Sequence, residues 1–410
     1  MKTKPLGPIP AGYETLDGEL AIGGRKASEL VEAAGRTPLF VYSKSHLDER
    51  VATLRAAIPP RIGINYAVKA NPHPQVISHM APLVDGFDIA SSGELVMIQK
   101  AGIDPARVSF AGPGKRDDEL EAAISAGVTL NCESEGEAQR SLTIGQRLGK
   151  TPRIAIRVNP DFELKGSGMK MGGGAKPFGV DAKRVPALAK QIIAEGAEWR
   201  GLHIFTGSQT LSAEAITEAQ TNVLNLAFSL TQEIGAPLPK LNMGGGFGIP
   251  YFPGDKPLDL SAVGAALHEL VEAHGAALGD TELCLELGRY LVGEAGVYLC
   301  RVIDKKVSHD QTYLITDGGL HHQLAASGNF GTVVRRNYPV AIASRFGEEA
   351  SEVANVVGCL CTPLDRLADM AELPRAEVGD LVAVFCAGAY GASASPANFL
   401  GHGPAAEMIV

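Results

Sequence analysis

Along the middle of the chain, short apolar runs alternate with amphipathic stretches in a repeating order. The runs are INYAVKA (64–70), GFDIAS (86–91), RVSFAGP (107–113), TLNCES (129–134), RIAIRVNP (153–160), GLHIFTG (201–207), KLNMGGG (240–246) and ELCLELGRY (282–290). Between them, segments such as GELVMIQKAG and DDELEAAISAG place apolar residues three and four positions apart and leave on glycine, as surface helices do. Eight strands alternating with helices is the count of a closed (β/α)8 TIM barrel, an α/β fold. An open doubly wound sheet is the rival. It does not explain why polar residues gather at the ends of so many runs: Lys69, Ser91, Asn159, Ser208, Gly244, Gly245, Gly246, Glu286 and Arg289. In a barrel those ends meet at the C-terminal face, where active sites are built.

Two stretches fall outside the pattern. Residues 1–38 and 291–410 read as β-rich, with strands predicted in VYLCRVIDKKV, TYLITDGG, PVAIAS, EVANVVGCLC, DLVAVFCAGAY and EMIV. The expected organisation is a barrel over 39–290 and a second, β-sandwich or small β-barrel domain from 1–38 and 291–410. The glycine-rich KGSGMKMGGGAK (165–176) reads as a mobile loop over the barrel mouth.

Composition narrows the class without changing the fold. A chain of 410 residues, 45% hydrophobic and 20% charged, has room for a large core. A net charge of −9 and the lack of a basic run argue against a nucleic-acid partner. The N-terminus has no apolar signal-like segment and no run reaches membrane-spanning length, so a cytoplasmic enzyme without a membrane partner is expected. The six cysteines are scattered. Cys359 and Cys361 form C-x-C with no second pair beside them in sequence, so no metal site is expected.

The chemistry then rests on a few residues. Lys69 ends an apolar run, which fits either a strand-end lysine reaching into solvent or a desolvated amine suited to Schiff-base formation. Gly244, Gly245 and Gly246 let backbone amides approach a phosphate, and Ser208 and Arg289 at neighbouring strand ends add donors. Glu286, inside CLEL, is either a structural ion-pair partner or the partner of a protonated ring nitrogen. Cys361, Asp365 and Tyr390 lie outside the barrel runs; read alone they are packing and turn residues.

Together these motifs resemble the fold-type III pyridoxal-phosphate decarboxylases, the diaminopimelate, ornithine and arginine decarboxylase family, from about Pro38 onwards. The resemblance implies an alanine-racemase-like barrel with pyridoxal 5'-phosphate as cofactor. YAVKAN is similar to the family's cofactor-lysine motif and assigns Lys69; FDIASSGEL, with Asp88, looks like the strand and helix that follow. GSQ and GGGFG match its phosphate elements. ELGRY resembles its Glu-Pro-Gly-Arg motif, with Leu287 for proline, and so carries over Glu286, Gly288 and Arg289. GAY aligns Tyr390 with a phosphate-contacting tyrosine. CTPLDRL looks like a cysteine loop that crosses a dimer interface. The resemblance therefore implies a homodimer with shared sites, in which Cys361 of the partner subunit donates a proton after CO2 leaves.

The sequence departs from the family where the substrate is chosen. Phe205 stands where a ring-stacking histidine is usual. Thr362 replaces the acid that holds a distal amine, and Ala325 occupies the place of an arginine for a distal carboxylate. GHGPAAE, around His402, replaces an Arg-Pro-Arg-Pro stretch. PLGPIP, KGSGMKMGGG, HIFTGSQ and HHQLAASGNFG look like the exosortase-A-system-associated pyridoxal-dependent decarboxylases. A substrate tethered to a carrier protein needs no charged distal clamp and fits these departures, so the expected substrate is an amino acid or a carrier-tethered aminoacyl group, with free diaminopimelate or a free basic amino acid as the alternative. Thr362, Asp365, His321 and His322 are the expected pocket residues. A racemase, or a non-catalytic cofactor-binding protein, is the alternative outside this chemistry.

Overall fold

The computed structural model describes residues 3–166, 168–328 and 335–410. Ser167 of the glycine-rich stretch, and Asn329, Phe330 and Gly331 of HHQLAASGNFG, lie outside the described residues. The chain divides into two compact units, Val51–Gly248 with Leu258–Gly288, and Met1–Arg50 with Ile249–Pro257 and Arg289–Val410.

The first unit is a closed parallel barrel. Its strands are β1 (Ile62–Ala67), β2 (Gly86–Ile89), β3 (Val108–Phe110), β4 (Thr129–Cys132), β5 (Arg153–Asn159), β6 (Glu198–Ile204), β7 (Lys240–Gly245) and β8 (Glu282–Leu287). Each pairs with the next, and β8 returns to β1 through Leu283↔Ile62 to Leu287↔Tyr66. The strands read as apolar runs rather than alternations because both faces are covered, by the filled interior and by the helical ring. Helix ends obey local chemistry. Ser91 caps helix Ser92–Lys100 by accepting from the Glu94 amide at 3.2 Å, while the Glu94 carboxylate accepts from the Ala90 amide at 2.6 Å. Gly127 ends helix Asp117–Ala126 at φ +81°, a conformation that favours glycine. Buried pairs Lys115–Glu137 (2.7 Å) and Arg157–Glu133 (2.8 Å) tie β4, β5 and their flanking segments together. Removing one partner of such a pair strands a charge, at roughly 3–5 kcal/mol.

The second unit is β-rich. Its sheet runs in the order β11 (Val340–Ile342), β14 (Leu381–Val384), β9 (Gly296–Ser308), β10 (Gln311–Thr316), β12 (Glu352–Val357), β13 (Arg366–Leu373). The segment that joins it from the N-terminal side is the strand Leu39–Tyr42, antiparallel to β9 and parallel to Ala406–Ile409. Leu20, Ile22, Leu30, Val41, Val297, Leu299 and Phe385 form its core. Strand β13 is absent from the sequence reading. RLADMAEL contains few good strand formers, and it lies at the sheet's edge, where charged residues are common.

Candidate active site

The lysine sits on a turn, not on the strand itself. Strand β1 stops at Ala67, and Lys69 occupies a 3-10 turn, Val68–Ala70, with its side chain 42% exposed. The buried Tyr66 hydroxyl donates to the Asn71 carbonyl at 2.7 Å, and the Asn71 amide returns to the Val68 carbonyl at 3.0 Å, fixing the turn. Gly288 packs against it from the end of β8. A Cβ there would meet the Ala70 Cβ at 2.8 Å, so any side chain would push the lysine's turn away.

Facing Lys69 is a buried acidic centre. The Glu286 Oε1 lies 3.8 Å from the Lys69 Nζ, and its Oε2 lies 2.9 Å from the His203 Nε2, off the line of a well-formed hydrogen bond. Asn242 donates to the same Oε2 at 3.3 Å. Burial pushes this carboxyl up, but His203, Lys69 and Arg157 together outweigh it and hold it at about 2. Asp88, on β2, goes the other way. Burial first, then the Glu286 charge, raise it to about 6, although the Ser109 hydroxyl donates to its Oδ1. Its Oδ2 is buried with no hydrogen-bond partner among the described residues. The Lys69 ammonium also lies 5.7 Å from the centre of the Phe205 ring.

The glycine triplet is required by its surroundings. Gly244 and Gly246 have φ +65° and +83°, and a Cβ on Gly245 would collide with the Glu286 carbonyl and the Leu287 side chain. Ser208 forms a two-residue strand with Gly207, antiparallel to Met169–Lys170. The Gly168 amide donates to the Ser208 carbonyl at 3.0 Å and the Met171 amide to the Thr206 carbonyl at 3.2 Å. The glycine-rich loop is thus paired through its backbone with the serine segment.

These features gather at the C-terminal ends of β1, β2, β6, β7 and β8. A different cleft, lined by Arg55, Asp85, Lys240 and Glu282, opens at the opposite ends, where barrel conservation reads as stability rather than chemistry. An ionised carboxylate beside a lysine, an orphaned buried carboxylate oxygen and a glycine cradle that side chains would fill suit a charged, ring-bearing phosphate compound. His203 was missed by the sequence reading. Its signal is an imidazole inside an apolar strand, two residues before Phe205, which follows the strand's end.

The remaining expected residues lie in the second unit. Arg289 donates to the Tyr251 hydroxyl at 2.9 Å, and its guanidinium lies 4.8 Å from the centre of the Tyr390 ring. Cys361 is exposed, and the Thr362 carbonyl accepts from the Asp365 amide at 3.3 Å. Asp365 is buried: its Oδ1 accepts from the Leu320 amide at 2.7 Å and its Oδ2 from the Leu360 amide at 2.8 Å. His322 is fully engaged, its Nδ1 3.1 Å from the Tyr298 hydroxyl and its Nε2 2.9 Å from the Gly403 carbonyl. His321 is buried, and neither ring nitrogen has a hydrogen-bond partner among the described residues.

The sequence profile of the family described as "Pyridoxal-dependent decarboxylase, pyridoxal binding domain" matches residues 44–293. The chain is 34% identical over 383 residues to an L-glutamyl-(BtrI acyl-carrier protein) decarboxylase of Niallia circulans, covering 91% of this chain and 88% of that one. It is 36% identical over 405 residues to a diaminopimelate decarboxylase of Aquifex aeolicus, covering 97% and 92%. A crystal structure of diaminopimelate decarboxylase from M. jannaschii in complex with L-lysine superposes with a TM-score of 0.87 at 26% identity, covering 98% of this chain and 93% of that one. No helix among the described residues is long and apolar enough to cross a membrane.

Proposed function

This chain belongs to the pyridoxal-dependent decarboxylases, and on that premise we propose that it removes the α-carboxylate of an aminoacyl group carried on a protein. Pyridoxal phosphate, when bound, supplies the electron sink for the pair released with CO2. Lys69 would hold it through the Nζ. Glu286, kept ionised by His203, Lys69 and Arg157, is suited to keep a ring nitrogen protonated. Gly244, Gly245, Gly246 and Ser208 would take the phosphate, with Arg289 and Tyr390 entering on their motifs, and Phe205 would cover the ring. Asp88 and Gly288 shape the same pocket, one as an acid and one by lacking a side chain. Cys361 of the partner subunit would deliver a proton to the carbon that lost CO2.

What supports the substrate half is the motif comparison, in which Thr362 and Ala325 stand where the family's pattern puts charged partners for a free diamino acid. A buried distal charge without a partner is penalised by several kcal/mol. Similarity to a decarboxylase named for a glutamyl carrier protein supports this reading; similarity to diaminopimelate decarboxylases supports free diaminopimelate as the second one. CO2 release is to be measured from glutamyl- and other aminoacyl-carrier proteins beside free diaminopimelate, lysine and ornithine. The expected preference for the tethered substrate in kcat/KM is roughly 10²-fold or more. Comparable rates on free diaminopimelate sink it.

A further inference from the structure

The loops that carry the unpartnered His321 also bring two other soft donors beside it. His321, Cys359 and His402 each place one ligand atom so that all three lie within 4.8 Å of one another. The Cys359 Sγ is 4.0 Å from the His402 Nε2, and the His321 and His402 rings are 4.8 Å apart between centres. The cluster is not a chance of surface crowding, because His321 is 0% exposed and neither of its nitrogens has a hydrogen-bond partner among the described residues. A buried polar atom left without a partner is penalised, because it has given up its hydrogen bonds to water. Its neighbour His322 shows the ordinary solution, with both nitrogens engaged.

The surrounding bonds hold the donors in place. Asp365 grips the amides of Leu320 and Leu360, the residues immediately before His321 and before Cys361, and so locks the two ligand-bearing turns to one carboxylate. The His322 bond to the Gly403 carbonyl holds the turn of His402 in the same way.

From this geometry we infer that His321, Cys359 and His402 bind a late first-row divalent metal, zinc by donor type. Two imidazoles and a thiolate are a borderline-soft set that suits zinc, and hard cations would be poorly served. Tetrahedral zinc with these ligands needs donors about 3.4–3.6 Å apart, so a donor pair closes by at most about 1.4 Å. His402, exposed, is the one free to move. Binding releases the Cys359 thiol proton to solvent and forms the metal–sulfur bond with no change of oxidation state. Three protein donors leave a fourth position for water. The ligands come from segments far apart in sequence, which is why C-x-C alone gives no hint of a site.

The test is metal loading of chelator-treated holoenzyme with zinc, followed by ion counting, zinc X-ray absorption and competition with a chelator. One ion per chain with a single sulfur neighbour is expected. Cys359→Ser removes the sulfur shell, while Cys361→Ser keeps it. His402→Ala, an exposed change that leaves the fold intact by circular dichroism, weakens binding by roughly 10²-fold or more. Absence of a stoichiometric ion, a sulfur shell that survives Cys359→Ser or is lost with Cys361→Ser, or unchanged affinity in His402→Ala each overturns the assignment. None of these readouts depends on decarboxylation.

Discussion

Asp88 and Glu286 share one buried environment and respond to it in opposite senses: burial dominates at Asp88, while His203, Lys69 and Arg157 together outweigh it at Glu286. Glu286 is held near 2, so its contribution to stability is present above the unfolded carboxylate range and is lost as pH falls toward 2. Asp88 is raised to about 6, so in the cofactor-free chain it is neutral in acid and becomes a burden as pH rises from 4 through 6. A rise of that size corresponds to about 3 kcal/mol at most. Asp88→Asn keeps an acceptor for Ser109 and abolishes the charge. It should therefore stabilise the cofactor-free protein by about 1–3 kcal/mol at pH 7.5, with the gain fading to nothing near pH 4. Urea denaturation across that range checks it, and a gain independent of pH counts against the assignment.

At the scale of elements, the β7–β8 junction is closely constrained. Gly245→Ala would drive a methyl group into the Glu286 carbonyl, shifting the strand that holds the carboxylate and the glycine cradle together. Cofactor affinity is expected to fall by roughly 10-fold or more, with a loss of about 1–3 kcal/mol in stability; absorbance titration and thermal melts read the two separately. The eight barrel strands were legible in the sequence because a strand buried on both faces is written as an unbroken apolar run, bounded by turn residues. Arg366–Leu373 was not, since an edge strand tolerates the alanines and acids that hide it. The lysine motif was legible, but the 3-10 turn beneath Lys69 was not, because it depends on a tyrosine hydroxyl reaching forward to Asn71. His203 was hidden for a similar reason: one imidazole in an apolar strand gains meaning only when β8 brings Glu286 beside it. Cys359, His321 and His402 lie beyond any local pattern.

For the whole molecule, the proposed function divides the chemistry between Lys69 and Cys361 and has the loop cysteine serve the partner subunit, so that on this proposal each site depends on two chains. Lys69→Ala and Cys361→Ala should each be nearly inactive alone. Mixed and allowed to exchange subunits, half of the dimers carry one intact site of two, so roughly a quarter of wild-type activity should return. Failure to recover activity after confirmed exchange places the cysteine in its own subunit's site, or outside the chemistry.

The Asp365 carboxylate has a further consequence. Because its two oxygens hold the Leu320 and Leu360 amides at once, the turns around His321 and Cys361 cannot open one at a time without leaving a buried acceptor bare. They form one cooperative unit of local unfolding, with a shared opening free energy rather than two independent ones. Anything that orders either turn therefore steadies both, and a substitution that loosens one is felt at the thiol as well as at the imidazole.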